Sequence, residues 1–248
     1  ITHDSPTQRV GDEVTLGETV EHKVAMMSLD NTYHPEELHE FDERVRRILE
    51  TDEVEYVCEL KFDGLGVALL YENGILTRGA TRGNGRYGED VTANLKTIRS
   101  IPIRLREPGD RVSVLEVRGE VYIPKDKLEE VNRQRAKNGE SLFANTRNAA
   151  AGSVRLLDSS ITASRPLDIF IYALSYIEGM SFDKHMECFE ALKKMGFKLN
   201  PYTKVFNGID GAIDYYKNWV DHRSELEYDA DGIVVKVNSL QQQEKLGS

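Results

Sequence analysis

The sequence predicts an α+β fold built on antiparallel sheets, and three observations carry that expectation. Strand-like and helix-like segments do not alternate in a βαβ rhythm. Asn73-Gly74 separates two apolar runs, and a tight hairpin turn needs positive φ at both of its central positions, which Asn and Gly adopt most readily. Glu116, Arg118 and Glu120 stand at alternate positions of an otherwise apolar run, the period of a strand with one polar face.

Taken in order, residues 1–30 show no clear period and read as an extended lead-in. His34-Pro35-Glu36-Glu37 opens a helix, since proline suits the first helical position and early glutamates suit the positive end of the dipole. Leu38, Phe41, Val45, Ile48 and Leu49 then fall on one face. Residues 54–61 read as a strand, and residues 65–71 and 75–82 as the hairpin. This places Lys61 and Arg82 on neighbouring elements near strand ends. Residues 88–98 read as a short helix and 112–123 as a strand. A helix over 124–137 is stopped by Asn138-Gly139, the usual C-terminal signal. A small-residue helix over 145–157 follows, then an apolar strand over 167–176 and a helix over 183–195 closed by Gly196. Residues 209–223 read as a helix and 232–238 as a strand. The 248 residues suffice for one large domain, taken as 1–248, with a core of its own.

Composition excludes several classes. The chain is 40% apolar and 30% charged, as in an ordinary soluble globular protein. No apolar run approaches the roughly 18 residues that span a membrane. The polar N-terminus is no signal peptide, and Ile1 in first place reads as a fragment or a processed product. Cys58 and Cys188 lie far apart and read as two reduced thiols in a cytoplasmic protein. The six histidines show no metal-ligand spacing, and no protein ligand for a metal is assigned. A formal net charge of −10 argues against nucleic-acid binding, but a local patch overrides a mean. Arg78, Arg82, Arg86, Lys96, Arg99, Arg104 and Arg106 form such a basic stretch.

The chemistry-bearing residues begin at Glu59-Leu60-Lys61-Phe62-Asp63-Gly64. On a strand Glu59, Lys61 and Asp63 share one face, and Leu60 and Phe62 the buried other. Alone, a lysine between two acids is a surface ion-pair ladder. The alternative is a lysine nucleophile, which attacks only as the free amine. Thr81-Arg82-Gly83-Asn84-Gly85 is a glycine-rich basic turn. It lets backbone approach a ligand and lets Arg82 grip an anion, though a plain turn has the same look. Arg118-Gly119-Glu120 sets a glycine between charges. The run 143–153 is rich in small residues beside Asn and Arg, which suggests close packing against something polar or a tight core helix. Asp231-Gly232-Ile233-Val234-Val235-Lys236 is an apolar strand with an acid at its start and a lysine emerging from it.

The order of these pieces says more than any one of them. Lys61-x-Asp63-Gly64, Arg82, Arg118-Gly119-Glu120 and Asp231-Gly232 with Lys236 resemble the covalent nucleotidyltransferase superfamily, which includes DNA ligases and messenger-RNA capping enzymes. The strings around Cys58–Gly66, Ala80–Thr92 and Phe143–Ser153 narrow the resemblance to bacterial NAD-dependent DNA ligase. The opening string Asp4–Gly11 and the segment Met27–Asn31 point the same way.

The resemblance implies a nucleotidyltransferase core of antiparallel sheets flanked by helices. It implies that Lys61 attacks the α-phosphorus of NAD, forming lysyl-AMP and releasing nicotinamide mononucleotide. The AMP then passes to the 5′-phosphate of a nick, the 3′-hydroxyl seals it, and magnesium is required. By resemblance Glu59 lies at the adenine, and Ser28 and Leu29 line the nucleotide site. Arg82 and Glu120 bind the nucleotide, with Glu120 near the ribose, and Lys236 approaches the α-phosphate. Asp63 partners Lys61 or the metal, Asp231 is a possible supporting group, and Arg147 and Arg155 match positions facing DNA or nucleotide. The implied partners are NAD and nicked duplex DNA, with no membrane, for a monomer in the bacterial cytoplasm working in replication and repair. Asn84 stands where the family usually has aspartate, which puts a metal or turn role there in doubt. Thr146 stands where it usually has proline. The family's N-terminal nicotinamide-gripping helices, a further motif lysine, and OB-fold, zinc, helix-hairpin-helix and BRCT parts are expected outside this chain, so the fragment alone is not expected to seal nicks. The alternatives are an ATP-dependent polynucleotide ligase, a capping-type enzyme and a non-catalytic binding module.

Overall fold

A computed structural model describes Arg9 and residues 17–247. Apart from Arg9, the opening string and most of the first half of the lead-in lie outside the described residues. The remainder of the lead-in is more than extended chain: β1 (Thr19–Glu21) pairs antiparallel with β5 (Tyr87–Glu89). Residues 22–33 carry no regular secondary structure.

Two larger antiparallel sheets make the body. One has the order β8 (Lys204–Asn207), β2 (Glu55–Phe62), β9 (Ala230–Val237). The other runs β4 (Ile75–Thr81), β3 (Leu65–Glu72), β6 (Val114–Tyr122), β7 (Asp168–Ile177). The β3–β4 hairpin turns as expected, with φ of 49° at Asn73 and 74° at Gly74. Yet β2 belongs to the other sheet, so Lys61 and Arg82 stand at the ends of strands that are not paired neighbours. Glycine joins the two sheets: a β-carbon on Gly64, between β2 and β3, would sit 2.1 Å from the Val121 carbonyl oxygen of β6.

Each sheet has its own core. Val67, Leu69, Leu115, Val117, Val121, Ile169 and Ile171 pack against Leu95 of α2 (Thr92–Lys96) and Phe189, Leu192 and Met195 of α6 (His185–Met195). On the other sheet Tyr56, Cys58 and Val237 meet Leu38 and Val45 of α1 (Pro35–Leu49) and Ala212, Ile213 and Tyr215 of α7 (Ile209–His222). Phe62, Tyr122, Phe170 and Tyr228 form a ring cluster joining β2, β6 and β7, with Phe62 and Phe170 stacked at 4.9 Å.

Several expectations change. Ile48 is exposed, because the buried stripe of α1 runs through Leu38, Asp42 and Val45, with Asp42 accepting from Tyr56 Oη at 2.5 Å. The helix expected from residue 88 begins at Thr92, and Gly88 pairs in β5. The helix expected from 124 starts as a 3-10 turn, Lys125–Lys127, before α3 (Leu128–Lys137). The small-residue segment is α4 (Thr146–Val154), capped by the Asn145 side chain accepting from Asn148 N at 2.7 Å. Its Ala149 and Ala150 pack on apolar Ile123, with Phe143 and Leu167 beside them, while buried Thr146 donates to Asp229 and the Val154 and Ser153 carbonyls accept from Asn94 and Thr162, so the helix is close-packed against apolar and polar groups alike. Among the short elements beyond those expected are α5 (Ser159–Ser164), β8 and α8 (Leu240–Leu246). No helix among the described residues is long and apolar enough to cross a membrane.

Candidate active site

Pairing between β2 and β9 sets the first wall. Lys61 lies opposite Gly232, Glu59 opposite Val234 and Val57 opposite Lys236. Glu59 and Lys236 are therefore diagonal neighbours on one face, within reach of long side chains. They meet as an ion pair, with Lys236 Nζ 2.6 Å from Glu59 Oε2 and the glutamate side chain only 5% exposed. The register shifts between Lys61 and Phe62, which leaves Asp231 as the extra residue and brings its carboxylate to 3.9 Å from Lys61 Nζ. The ladder read from the sequence is thus replaced: each lysine takes its acid from the partner strand.

The bulge also ends the alternation. Asp63 lies past β2, its N–H donates to the Asp229 carbonyl at 2.9 Å, and its carboxylate pairs with Arg147 at 3.2 Å. Leu60 and Phe62 join the aromatic cluster, as expected of the opposite face.

The second wall is the four-stranded sheet. Glu120 lies opposite Gly66, and Arg82 N donates to the Gly66 carbonyl at 3.0 Å. A β-carbon on Gly66 would meet Glu120 Oε2 at 3.5 Å and Arg82 Cβ at 3.9 Å, so Glu120 and Arg82 flank the same spot. Tyr172 is the unpaired residue of a second bulge, between Ile171 opposite Gly119 and Ala173 opposite Arg118. Its carbonyl accepts from Lys236 Nζ at 3.0 Å, which links the two walls.

Residues 22–28 close one edge. His22 Nε2 contacts the Arg82 carbonyl at 3.2 Å, Met26 N donates to Gly85 O at 2.7 Å, and Arg118 donates to the carbonyls of Val24 and Ala25 at 2.9 and 2.8 Å. The Arg82 guanidinium donates to Ser28 Oγ at 2.5 Å, while Leu29 is exposed. Asn84 serves the turn without a charge: its side-chain oxygen accepts from the N–H groups of Arg86 and Tyr87 at 3.0 and 2.8 Å. Thr146, on α4, donates to Asp229 Oδ2 at 2.5 Å. Arg147 faces Asp63, and Arg155 faces Glu89 at 3.4 Å.

The electrostatics follow from burial. The Glu120 carboxyl is pushed up to about 7 by burial, against the Gly64 N–H and the Arg147 charge. Burial raises Glu59 too, and Lys236 opposes it. Burial, with Lys236 nearby, depresses the His185 imidazole to about 3. Burial and Glu120 raise the Tyr172 phenol to about 12. No group of three or more His, Cys, Asp or Glu side chains placed for a metal occurs among the described residues.

Contacts thus link Glu59 with Lys236, Lys61 with Asp231 and Arg82 with Ser28, set Glu120 beside Arg82 at Gly66, and pair Asp63 with Arg147 next to them. Sequence reasoning missed Tyr172 and His185. Tyr172 lay inside an apolar run that reads as core, and a bulge opposite another strand leaves no local signal. His185 sat in a helix start, where nothing local shows that its ring faces Glu59.

Against known proteins, the family model for the NAD-dependent DNA ligase adenylation domain matches residues 16–248. Proteins named DNA ligase from Carboxydothermus hydrogenoformans, Desulforamulus reducens and Thermotoga neapolitana are 54%, 53% and 50% identical over 100% of this chain. The chain spans 37%, 37% and 35% of their lengths. A solved structure, mycobacterial DNA ligase D complexed with ATP and MES, is 16% identical over 75% of this chain and 49% of that chain. The TM-score of that match is 0.43.

Proposed function

The chain belongs to the NAD-dependent DNA ligase adenylation-domain family, and from that premise we propose that residues 1–248 act as one adenylation domain with Lys61 as its nucleophile. Lys61 Nζ, as the free amine, attacks the α-phosphorus of NAD; the nitrogen–phosphorus bond forms, the bond to nicotinamide mononucleotide breaks, one N–H proton passes to solvent, and lysyl-AMP remains. In the longer protein the AMP passes to the 5′-phosphate of a nick in duplex DNA and leaves when the 3′-hydroxyl attacks.

One observation carries the reading most: Glu59 and Lys61 share a strand face about 7 Å apart, with Lys236 beside the first and Asp231 beside the second. The Glu59–Lys236 pair offers an acceptor next to a donor, which suits the amino group and ring nitrogen of adenine. The Tyr172 ring lies 5.7 Å from Lys236 Nζ and gives a flat face for the base. Glu120, on the opposite wall, suits ribose hydroxyls, and Arg82, held by Ser28, suits a phosphate. Gly232 leaves open space opposite Lys61, since a β-carbon there would meet no atom within 4 Å.

Phosphoryl transfer needs positioning and charge neutralisation more than covalent help. Arg82 supplies a cation for the phosphates, while Lys236, paired with Glu59, stays at the base. Magnesium generally rides on phosphate oxygens with one or two carboxylates, and Asp63 and Asp231 beside Lys61 fit that donor set. When bound, it would neutralise phosphate charge.

Calorimetric titration of this chain with NAD, ATP and AMP, repeated for Glu59→Ala and Lys236→Ala, tests the site. NAD and AMP should compete for one site that both variants weaken. Binding unchanged in both variants would remove the adenylate assignment.

A further inference from the structure

We propose that His185 is a positioning residue for Glu59, holding one carboxylate oxygen so that the other is presented to an amino group on the bound base; the inference rests on the adenylate reading above. The observation is a buried meeting of two polar atoms. His185 Nε2 lies 3.8 Å from Glu59 Oε2, with the two side chains 9% and 5% exposed. Among the described residues His185 Nε2 has no hydrogen-bond partner, and Glu59 Oε2 has the Lys236 ion pair but no hydrogen bond of good geometry. Buried polar atoms left unpaired are costly, and an approach of under 1 Å would satisfy both.

The backbone that carries the ring is anchored. His185 N donates to the Asn238 carbonyl at 2.7 Å, and Met186 N to Asn238 Oδ1 at 3.2 Å. Asn238 Nδ2 in turn donates to Glu55 Oε2 at 3.0 Å. The start of α6 is therefore fixed to β9 and β2, the strands that carry Lys236 and Glu59. The ring packs on Phe189 at 4.5 Å between centroids. Burial keeps the imidazole neutral, so it has a single N–H to give. A carboxylate oxygen facing Nε2 selects the tautomer with the proton there.

With Lys236 and His185 both on Oε2, Oε1 is the oxygen turned to the ligand. An acceptor oxygen beside an ammonium donor matches adenine, whose amino group donates and whose ring nitrogen accepts. Hypoxanthine offers an oxygen and an N–H in the reversed places, so it meets like against like.

The test is the affinity ratio of AMP to IMP, by calorimetry, for this chain and for His185→Gln, His185→Phe and His185→Leu. The parent chain should prefer AMP, and Gln, which keeps a donor, should retain most of the preference. Phe and Leu should lose roughly tenfold of it, with thermal unfolding confirming that they are folded. Should neither fold, His185→Asn, polar but too short to reach Oε2, should show the same loss. A preference intact in the folded donor-free variants overturns the role of His185 alone. A parent chain that binds neither nucleotide overturns the adenylate reading, and the role of His185 with it.

Discussion

Lys236 Nζ stands 2.6 Å from Glu59 Oε2 inside the protein, on strands where the two residues are diagonal neighbours. Both charges have left water, so each depends on the other. Removing one partner of a buried pair costs about 3–5 kcal/mol, because the charge left behind is uncompensated. Lys236→Met should therefore lower unfolding stability by about 3 kcal/mol, and adding Glu59→Gln should recover most of that loss. Urea denaturation of the two single variants and the double variant measures it. Additive losses would show that the residues are not energetically coupled.

Glu120 makes nucleotide binding depend on pH. Its folded value of about 7 lies above the ~4.3 of an unfolded chain. The folded state holds this proton more tightly, so its contribution to stability is complete below about pH 4 and is lost as pH rises through about 7. A ribose hydroxyl donating to the carboxylate favours the ionised form instead. AMP binding at about pH 6 should then release part of a proton, and affinity should rise toward about pH 8. Calorimetry in buffers of different ionisation enthalpy detects the release, and Glu120→Gln should abolish it. Proton uptake on binding would reverse the assignment.

Arg147 and Arg155 hold exposed ion pairs, to Asp63 and Glu89. Such pairs contribute roughly 0–1 kcal/mol, so alanine at either position should leave stability within about 1 kcal/mol of the parent. If the two guanidiniums meet DNA phosphates, each replacement should weaken binding to nicked duplex and reduce the salt slope by about 1. Fluorescence anisotropy across a salt series reads both quantities. An unchanged slope would take that arginine out of the interface.

These residues also show which features the sequence made legible. Asn73-Gly74 was readable because a hairpin turn is decided by the φ of its own two residues. The face of β6 with Glu116, Arg118 and Glu120 was readable because strand alternation is local, and Leu115, Val117 and Val121 do fill the core on the other side. Partners were not readable. Glu59 and Lys61 look like one ion-pair ladder, yet their cations and anions come from β9, more than a hundred residues away. Neither bulge leaves a local trace, since each is an offset against a partner strand. Ile48 fits the helical period of α1, but the packing against α7 and α8 uses a narrower stripe. Nor were the partners of the basic stretch readable: Arg78 donates to the Glu21 carbonyl, Arg82 to Ser28, and Arg86 pairs with the Glu21 carboxylate.

Two glycines separate folding from function. A β-carbon on Gly64 would sit 2.1 Å from the Val121 carbonyl oxygen and 3.2 Å from Glu120 Cγ, so backbone must move to admit it. Gly64→Ala should cost about 1–3 kcal/mol, typical of overpacking, and should displace Glu120. Gly232 lies opposite Lys61, with no atom within 4 Å of its would-be β-carbon. Gly232→Ala in a strand should leave stability within about 1 kcal/mol of the parent, or raise it, since alanine loses less conformational entropy on folding. If the open space there is where the nucleotide phosphates approach Lys61, the added methyl should weaken AMP binding or slow lysyl-AMP formation. Thermal unfolding and intact-mass detection of the adduct, made on the same two variants, distinguish the cases. A Gly232→Ala protein with unchanged stability, affinity and adduct yield would place the phosphates elsewhere in the cleft.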